Sequence, residues 1–207
     1  MQFREALRKV RNFLILLSML HKKTLVASFL LFAAIFSPPV VRDWSNSSVQ
    51  AVQLRDGKTY FLHPPTLIDA ATTSNRTHAW GATYYFTIQT ASDAGEPLQS
   101  VTIAQNEGSD TVAFHLGETL AYAQDAGSDR APLVSKTTLN PETRTLSIVF
   151  DPPVPAGKTV VISLYPSRNP RYEGVYLFGV TAFPPGSQPH GQFLGYGRLH
   201  FYSSSRW

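Results

Sequence analysis

From Val52 to Tyr202 apolar side chains return at every second position, and turn-forming residues interrupt them about every ten residues, the pattern of a β-sandwich or barrel. Val101 and Ile103 alternate with Thr102 and Ala104. Val112, Phe114 and Leu116 alternate with Ala113 and His115, and Leu146, Ile148 and Phe150 with Ser147 and Val149. Each set places its larger side chains on one face of a pleated strand. No stretch keeps an apolar stripe at helical spacing without a proline or glycine close by. The expected class is therefore all-β, an immunoglobulin-like β-sandwich, with a jelly roll or another antiparallel sandwich as the alternative.

The punctuation agrees. Asp56-Gly57 suits a tight hairpin between Val52-Gln53-Leu54 and Thr59-Tyr60-Phe61. Further strands are expected from Trp80 to Ile88, with Trp80, Tyr84 and Phe86 on one face, and from Leu98 to Gln105. Ala123 to Leu139 is polar and weakly patterned, and a long loop is expected there. Asn140-Pro141-Glu142-Thr143 turns into a strand from Arg144 to Phe150. In Asp151-Pro152-Pro153-Val154-Pro155-Ala156-Gly157-Lys158 the prolines stiffen a crossing between sheets, and Gly157 accepts positive φ. The strand that follows, Thr159 to Tyr165, is almost wholly apolar and suits a place between two neighbours. Between Arg168 and Tyr202 glycines interrupt the strand-like runs themselves, as bulges and close backbone approaches do.

The amino-terminal part has a different character. Leu25 to Phe36 is an uncharged apolar run of twelve residues behind His21-Lys22-Lys23, the composition of an export signal. A start at Met19 would give an ordinary signal peptide and make the preceding residues an upstream mis-start. An amphipathic membrane-surface helix over the first residues is the competing reading. Val49-Gln50-Ala51 is the best cleavage site, so a leader over residues 1–51 and a single domain over 52–207 are expected. An uncleaved leader is the only expected contact with a membrane, because twelve apolar residues fall short of the roughly twenty that a spanning helix needs.

Of 18 Lys and Arg, seven precede residue 52, as do two of the 14 Asp and Glu. From Val52 onward 11 basic residues face 12 acidic ones. The basicity that would point to nucleic acid lies in the leader, and no nucleic-acid partner is expected. The chain has no cysteine, which rules out lipid attachment at a cysteine and any disulfide.

Little in the domain calls for a reaction. His63, His78, His115, His190 and His200 lack the short recurring spacings of metal ligands, and acidic residues are too sparse for a calcium loop. No cofactor is expected. No Gly-x-Ser-x-Gly elbow occurs, and no two carboxylates are coupled by spacing. Aromatic residues are the excess to explain. Most suit a sandwich core, with tyrosine hydroxyls at its rim. Arg168, Asn169, Arg171, Tyr172 and Tyr176 cluster instead around what the sequence presents as an exposed loop, and form the candidate binding surface: the tyrosines to stack, the arginines to meet a carboxylate or phosphate.

Ala79-Trp80-Gly81-Ala82-Thr83-Tyr84-Tyr85, Gly95-Glu96-Pro97-Leu98, Asn169-Pro170-Arg171-Tyr172, Gly179-Val180-Thr181-Ala182 and Gly197-Arg198-Leu199-His200-Phe201-Tyr202 carry a resemblance over roughly Val52 to Tyr202. The chain resembles a family of exported cyanobacterial proteins known as domain of unknown function 2808. The resemblance implies a cyanobacterial source and one exported domain; it supplies no activity and no site residues. The expected protein is an exported, non-enzymatic sandwich that binds an envelope or lumenal protein or polysaccharide, in the periplasm, the thylakoid lumen or at the cell surface. An envelope hydrolase acting on glycan or ester bonds, and a purely structural accessory domain, are the alternatives.

Overall fold

The computed structural model describes residues 52–53, 57–124 and 130–203. The expected leader, its cleavage site and the Met19 start lie outside them. Among the described residues are twelve strands: β1 (Val52–Gln53), β2 (Thr59–Tyr60), β3 (Thr66–Thr72), β4 (Tyr84–Gln89), β5 (Leu98–Glu107), β6 (Leu120–Gln124), β7 (Ala131–Pro132), β8 (Ser135–Asn140), β9 (Thr145–Val154), β10 (Thr159–Leu164), β11 (Gly174–Phe183) and β12 (Gln192–Phe201). Beyond the short β1-β2 ribbon they form two five-stranded sheets, ordered β3-β4-β10-β6-β7 and β12-β11-β5-β9-β8. Every strand pairing within them is antiparallel.

That order fixes the topology. In chain sequence β3-β4-β10-β6 occupy the A-B-E-D places of an immunoglobulin constant domain, and β12-β11-β5 the G-F-C places. The chain between the D and E places adds β7 outside β6, and the β8-β9 hairpin outside β5. The fold is an immunoglobulin-like β-sandwich with strands inserted between D and E.

The core lies between the sheets. Tyr84, Phe86 and Ile88 alternate inward from β4, Val101 and Ile103 from β5, Leu146, Ile148 and Phe150 from β9, and Tyr176, Phe178 and Val180 from β11. Each large apolar side chain removed from water stabilises by about 1.5–3 kcal/mol. Phe86 meets Phe178 edge to face across the sheets at 5.8 Å, and Tyr84 packs on Phe178 at 6.1 Å and Phe201 at 5.7 Å. A close approach between the sheets requires glycine at Gly197 of β12, where a Cβ would come within 2.6 Å of the Phe86 ring and 2.8 Å of the Ala70 Cβ of β3.

Several expectations hold. The β1-β2 ribbon pairs Val52 with Tyr60, and β10 runs between β4 and β6 with Val160 to Leu164 buried. The proline-rich stretch carries the chain from one sheet to the other, with Gly157 at φ 81°. A bulge falls in β12 beside Gly195, where Val180 faces Gly195 and Thr181 faces Phe193, leaving Leu194 unpaired.

Others fail for visible reasons. Val112 to Leu116 forms no strand, although Val112 is buried and Phe114 half-buried. The Gln105 side chain accepts from Val112 N (2.9 Å) and donates to Asp110 O (2.6 Å), doing for the backbone what a neighbouring strand would do. The expected loop from Ala123 to Leu139 contains β7 and most of β8, whose weak pattern is that of an outermost, largely exposed strand. Trp80 does not join β4. His78 and Gly81 both take positive φ, 61° and 70°, and turn the indole outward, where it is 75% exposed.

Candidate functional site

Three connections meet around the expected binding loop: residues 73–83 between β3 and β4, residues 108–119 between β5 and β6, and residues 165–173 between β10 and β11. Backbone bonds tie them together. Ser167 N donates to Ala113 O (2.8 Å), Asn169 N to Ala79 O (2.8 Å) and His78 N to Pro170 O (3.0 Å).

Asn169 is the central fastening. Its amide nitrogen donates to Ser74 O (2.9 Å) and Arg76 O (2.8 Å), and its Oδ1 accepts from the Tyr84 hydroxyl at 2.9 Å. A buried amide must find such partners or destabilise the fold, and this one is only 1% exposed. Burial pushes the Tyr84 hydroxyl far above the usual phenol range, so it remains a donor to that oxygen.

Tyr176 is likewise internal. It is fully buried, packs on Phe201 at 5.4 Å, and its hydroxyl donates to Tyr172 O at 2.9 Å. A tyrosine near the start of the F strand, bonded to backbone a few residues upstream, is the tyrosine corner of immunoglobulin-like sandwiches. The backbone of Gly108 covers the ring, at φ 138°.

Arg171 and Asp110 make a fork. Arg171 Nε and Nη2 donate to Asp110 Oδ2 (3.1 Å) and Oδ1 (3.0 Å), and the Arg171 backbone N donates to Oδ2 at 3.0 Å. Thr111 N adds a fourth bond, to Oδ1. These bonds, the Arg171 side chain foremost, hold the Asp110 carboxyl at about 2, against an ordinary 3.8.

The five predicted residues therefore divide. Arg171 and Tyr172 are exposed and Arg168 is half-buried at the surface, whereas Asn169 and Tyr176 are buried. The buried pair cannot stack on or bond to a partner; it holds the loop's shape. The sequence reading missed Trp80 and Asp110. Trp80 joins the cluster because Arg168 Cζ lies 5.9 Å from its ring, as Arg171 Cζ lies 5.7 Å from that of Tyr172. Trp80, Asp110, Thr111, Ala113, Ser167 and Arg168, with Asn169 at the base, line a cleft of about 310 Å³.

Elsewhere, His63 Nδ1 lies 3.2 Å from Asp93 Oδ2, both side chains more than half exposed, and no hydroxyl bonds to that ring among the described residues. Nor, among those residues, do three His, Asp or Glu side chains gather as they would around a metal ion.

Fold and site together define an immunoglobulin-like sandwich with an arginine and aromatic cleft built from the connections between its strands. The chain belongs to the family described as protein of unknown function DUF2808, whose model matches residues 58–201. No curated protein matches it. Among solved structures it is similar to the group B streptococcus pilus 2b backbone protein, at 12% identity and TM-score 0.42 over 64% of this chain and 56% of that one. It is also similar to the collagen-binding domain of a Staphylococcus aureus adhesin (11%, TM-score 0.34, 66% and 97%). A third is the collagen binding subdomain of the Enterococcus faecalis surface protein ACE (6%, TM-score 0.37, 63% and 95%). The chain spans little more than half of the pilus protein. At these distances the fold assignment rests on the strand order above, and what those proteins bind is said of them alone.

Proposed function

We propose that this is an exported, non-catalytic recognition domain that holds an envelope or lumenal protein or glycan on the surface formed by Trp80, Arg168, Arg171 and Tyr172. The observation that carries the reading is the doubled pairing of an exposed aromatic ring with a guanidinium, Arg168 on Trp80 and Arg171 on Tyr172, on loops fastened from beneath by Asn169 and Tyr176. Aromatic and arginine side chains carry most of the binding energy at interfaces, and rings fixed before a partner arrives lose little freedom when it binds. The apolar run from Leu25 to Phe36 supports export, to the periplasm, the thylakoid lumen or the cell surface.

The test is recovery of co-purifying proteins and glycans from cells producing the tagged chain, compared with a Trp80→Ala, Tyr172→Ala variant. Both side chains are more than half exposed, so the variant should melt as the parent does while losing the partner. A variant that keeps every partner overturns the surface. Terminal sequencing of the mature protein should find Val52 first.

A further inference from the structure

We infer that the cleft between Trp80 and Arg168 takes a carboxylated sugar, a uronic acid residue of an acidic glycan, and that Arg168 selects the acid; this deepens, and rests on, the recognition reading above.

The charges around the cleft lead to it. Asp110 and Arg168 line the cleft, and two further arginines reach its lining: Arg171 through Asp110, and Arg144, whose Nη1 donates to the Thr111 hydroxyl at 3.2 Å. Asp110 and Arg171 cancel one another, because each oxygen of the carboxylate already accepts two hydrogen bonds, from Arg171 Nε and N at Oδ2 and from Arg171 Nη2 and Thr111 N at Oδ1. Asp110 thus has little capacity left to accept hydroxyl protons from a ligand, and the charge of Arg171, though its remaining N–H groups face solvent, is offset by that carboxylate. Among the described residues no carboxylate pairs with Arg168. Its guanidinium lies instead 5.9 Å from the indole of Trp80. Arg168 is therefore the basic side chain in the lining itself, a planar fork suited to a carboxylate.

The rest of the lining narrows the ligand. Trp80 offers a wide apolar face at the rim, and pyranose rings present an apolar C–H face to such a surface. Thr111 and Ser167 line the walls; the Thr111 hydroxyl accepts from Arg144 Nη1 (3.2 Å) and keeps its proton to donate, and the Ser167 hydroxyl can donate and accept, as ring hydroxyls do. The volume of about 310 Å³ lies at the small end of ligand sites, the size of one or two sugar rings rather than of a folded partner. A bare phosphate would make no use of the indole, and its second negative charge would face the Asp110 carboxylate. A fatty acid would need an apolar tunnel that this lining does not provide.

The experiment is calorimetric titration of the full chain with a galacturonate trimer and with the corresponding neutral galactose trimer. The acidic trimer should bind about tenfold more tightly, the worth of one charge-assisted pair, and the preference should shrink as salt is raised. Arg168→Gln should bring the two sugars level, and Trp80→Ala should weaken both. Thermal melting of each variant confirms that it is folded. Equal binding of the two trimers by the parent, binding of neither, or a preference that survives Arg168→Gln overturns the inference. If partner capture depends on Trp80 and Tyr172 while the trimers fail, only the sugar assignment falls. If the trimers behave as expected while capture ignores both residues, the wider surface falls and the cleft stands.

Discussion

The hydroxyl of Tyr176 donates to the carbonyl of Tyr172 at 2.9 Å, so a side chain at the bottom of the sandwich fixes the backbone of an exposed aromatic residue four positions earlier. The rim of the candidate site is thereby set by the core. Loss of the bond should cost about 1 kcal/mol, and Tyr176→Phe, which keeps the ring against Phe201, isolates it. The expected result in urea unfolding is a lower midpoint with an unchanged slope, and faster amide exchange at Tyr172 and Glu173.

Gly108 lies where no side chain fits. A Cβ there would fall 2.2 Å from the Tyr176 ring, on a backbone at φ +138°, whereas one on Gly117 would meet nothing within 4 Å. Gly108→Ala should therefore destabilise by roughly 2 kcal/mol or more, from strain and overpacking together. Gly117→Ala should stay within about 0.5 kcal/mol of the parent. Thermal melts of the two variants side by side decide the matter.

Asp110 gives the fold a dependence on acid. Its carboxyl is held at about 2 in the native protein, against 3.8 ordinarily, chiefly by the Arg171 side chain. A lowered native value means that the ionised form is favoured in the fold. The stabilisation is complete above the unfolded value and is lost as pH falls from about 4 to about 2. Asp110→Asn should be less stable than the parent at neutral pH, and the gap should close across that window in denaturation measured against pH.

Glu96 has the opposite sign. It is 4% exposed and, among the described residues, Oε1 has no hydrogen-bond partner, and burial raises its carboxyl above the ordinary 4.5. The charge is unfavourable in the fold, so stability is fullest below the unfolded value and declines as pH rises through the native one. Glu96→Gln should raise stability at neutral pH by on the order of 1 kcal/mol and leave acidic solutions little changed. A melting series from acid to neutral pH checks both limbs.

The sheets were largely legible in the sequence because period two is written by burial itself, as in Leu146, Ile148 and Phe150 on β9. The same signal misled at Val112 and Phe114. Their side chains obey it, but Val112 N finds its partner in the side chain of Gln105, and the backbone of Phe114 forms an isolated bridge to Pro166, neither of which a pattern of apolar residues announces. The site was legible only in part. Asn-Pro between two arginines resembles an exposed turn, and what buries Asn169 is a set of partners at Ser74, Arg76 and Tyr84, more than eighty residues away. Asp110 and Arg171 stand 61 positions apart, so the neutralisation of one arginine and not the other is written only in three dimensions. An apolar pattern extends the strand to Trp80 because the positive φ of His78 and Gly81 leaves no mark in it.

Where antibody domains carry the second cysteine of their inter-sheet bridge, two residues after the corner tyrosine, this chain has Phe178, and its ring rests on Phe86 of the facing sheet. A clasp made of two benzyl groups has no reduced form and no oxidised form. The domain should melt at one temperature with or without dithiothreitol, and its maturation needs neither a thiol oxidase nor a disulfide isomerase, whichever side of a membrane it comes to occupy.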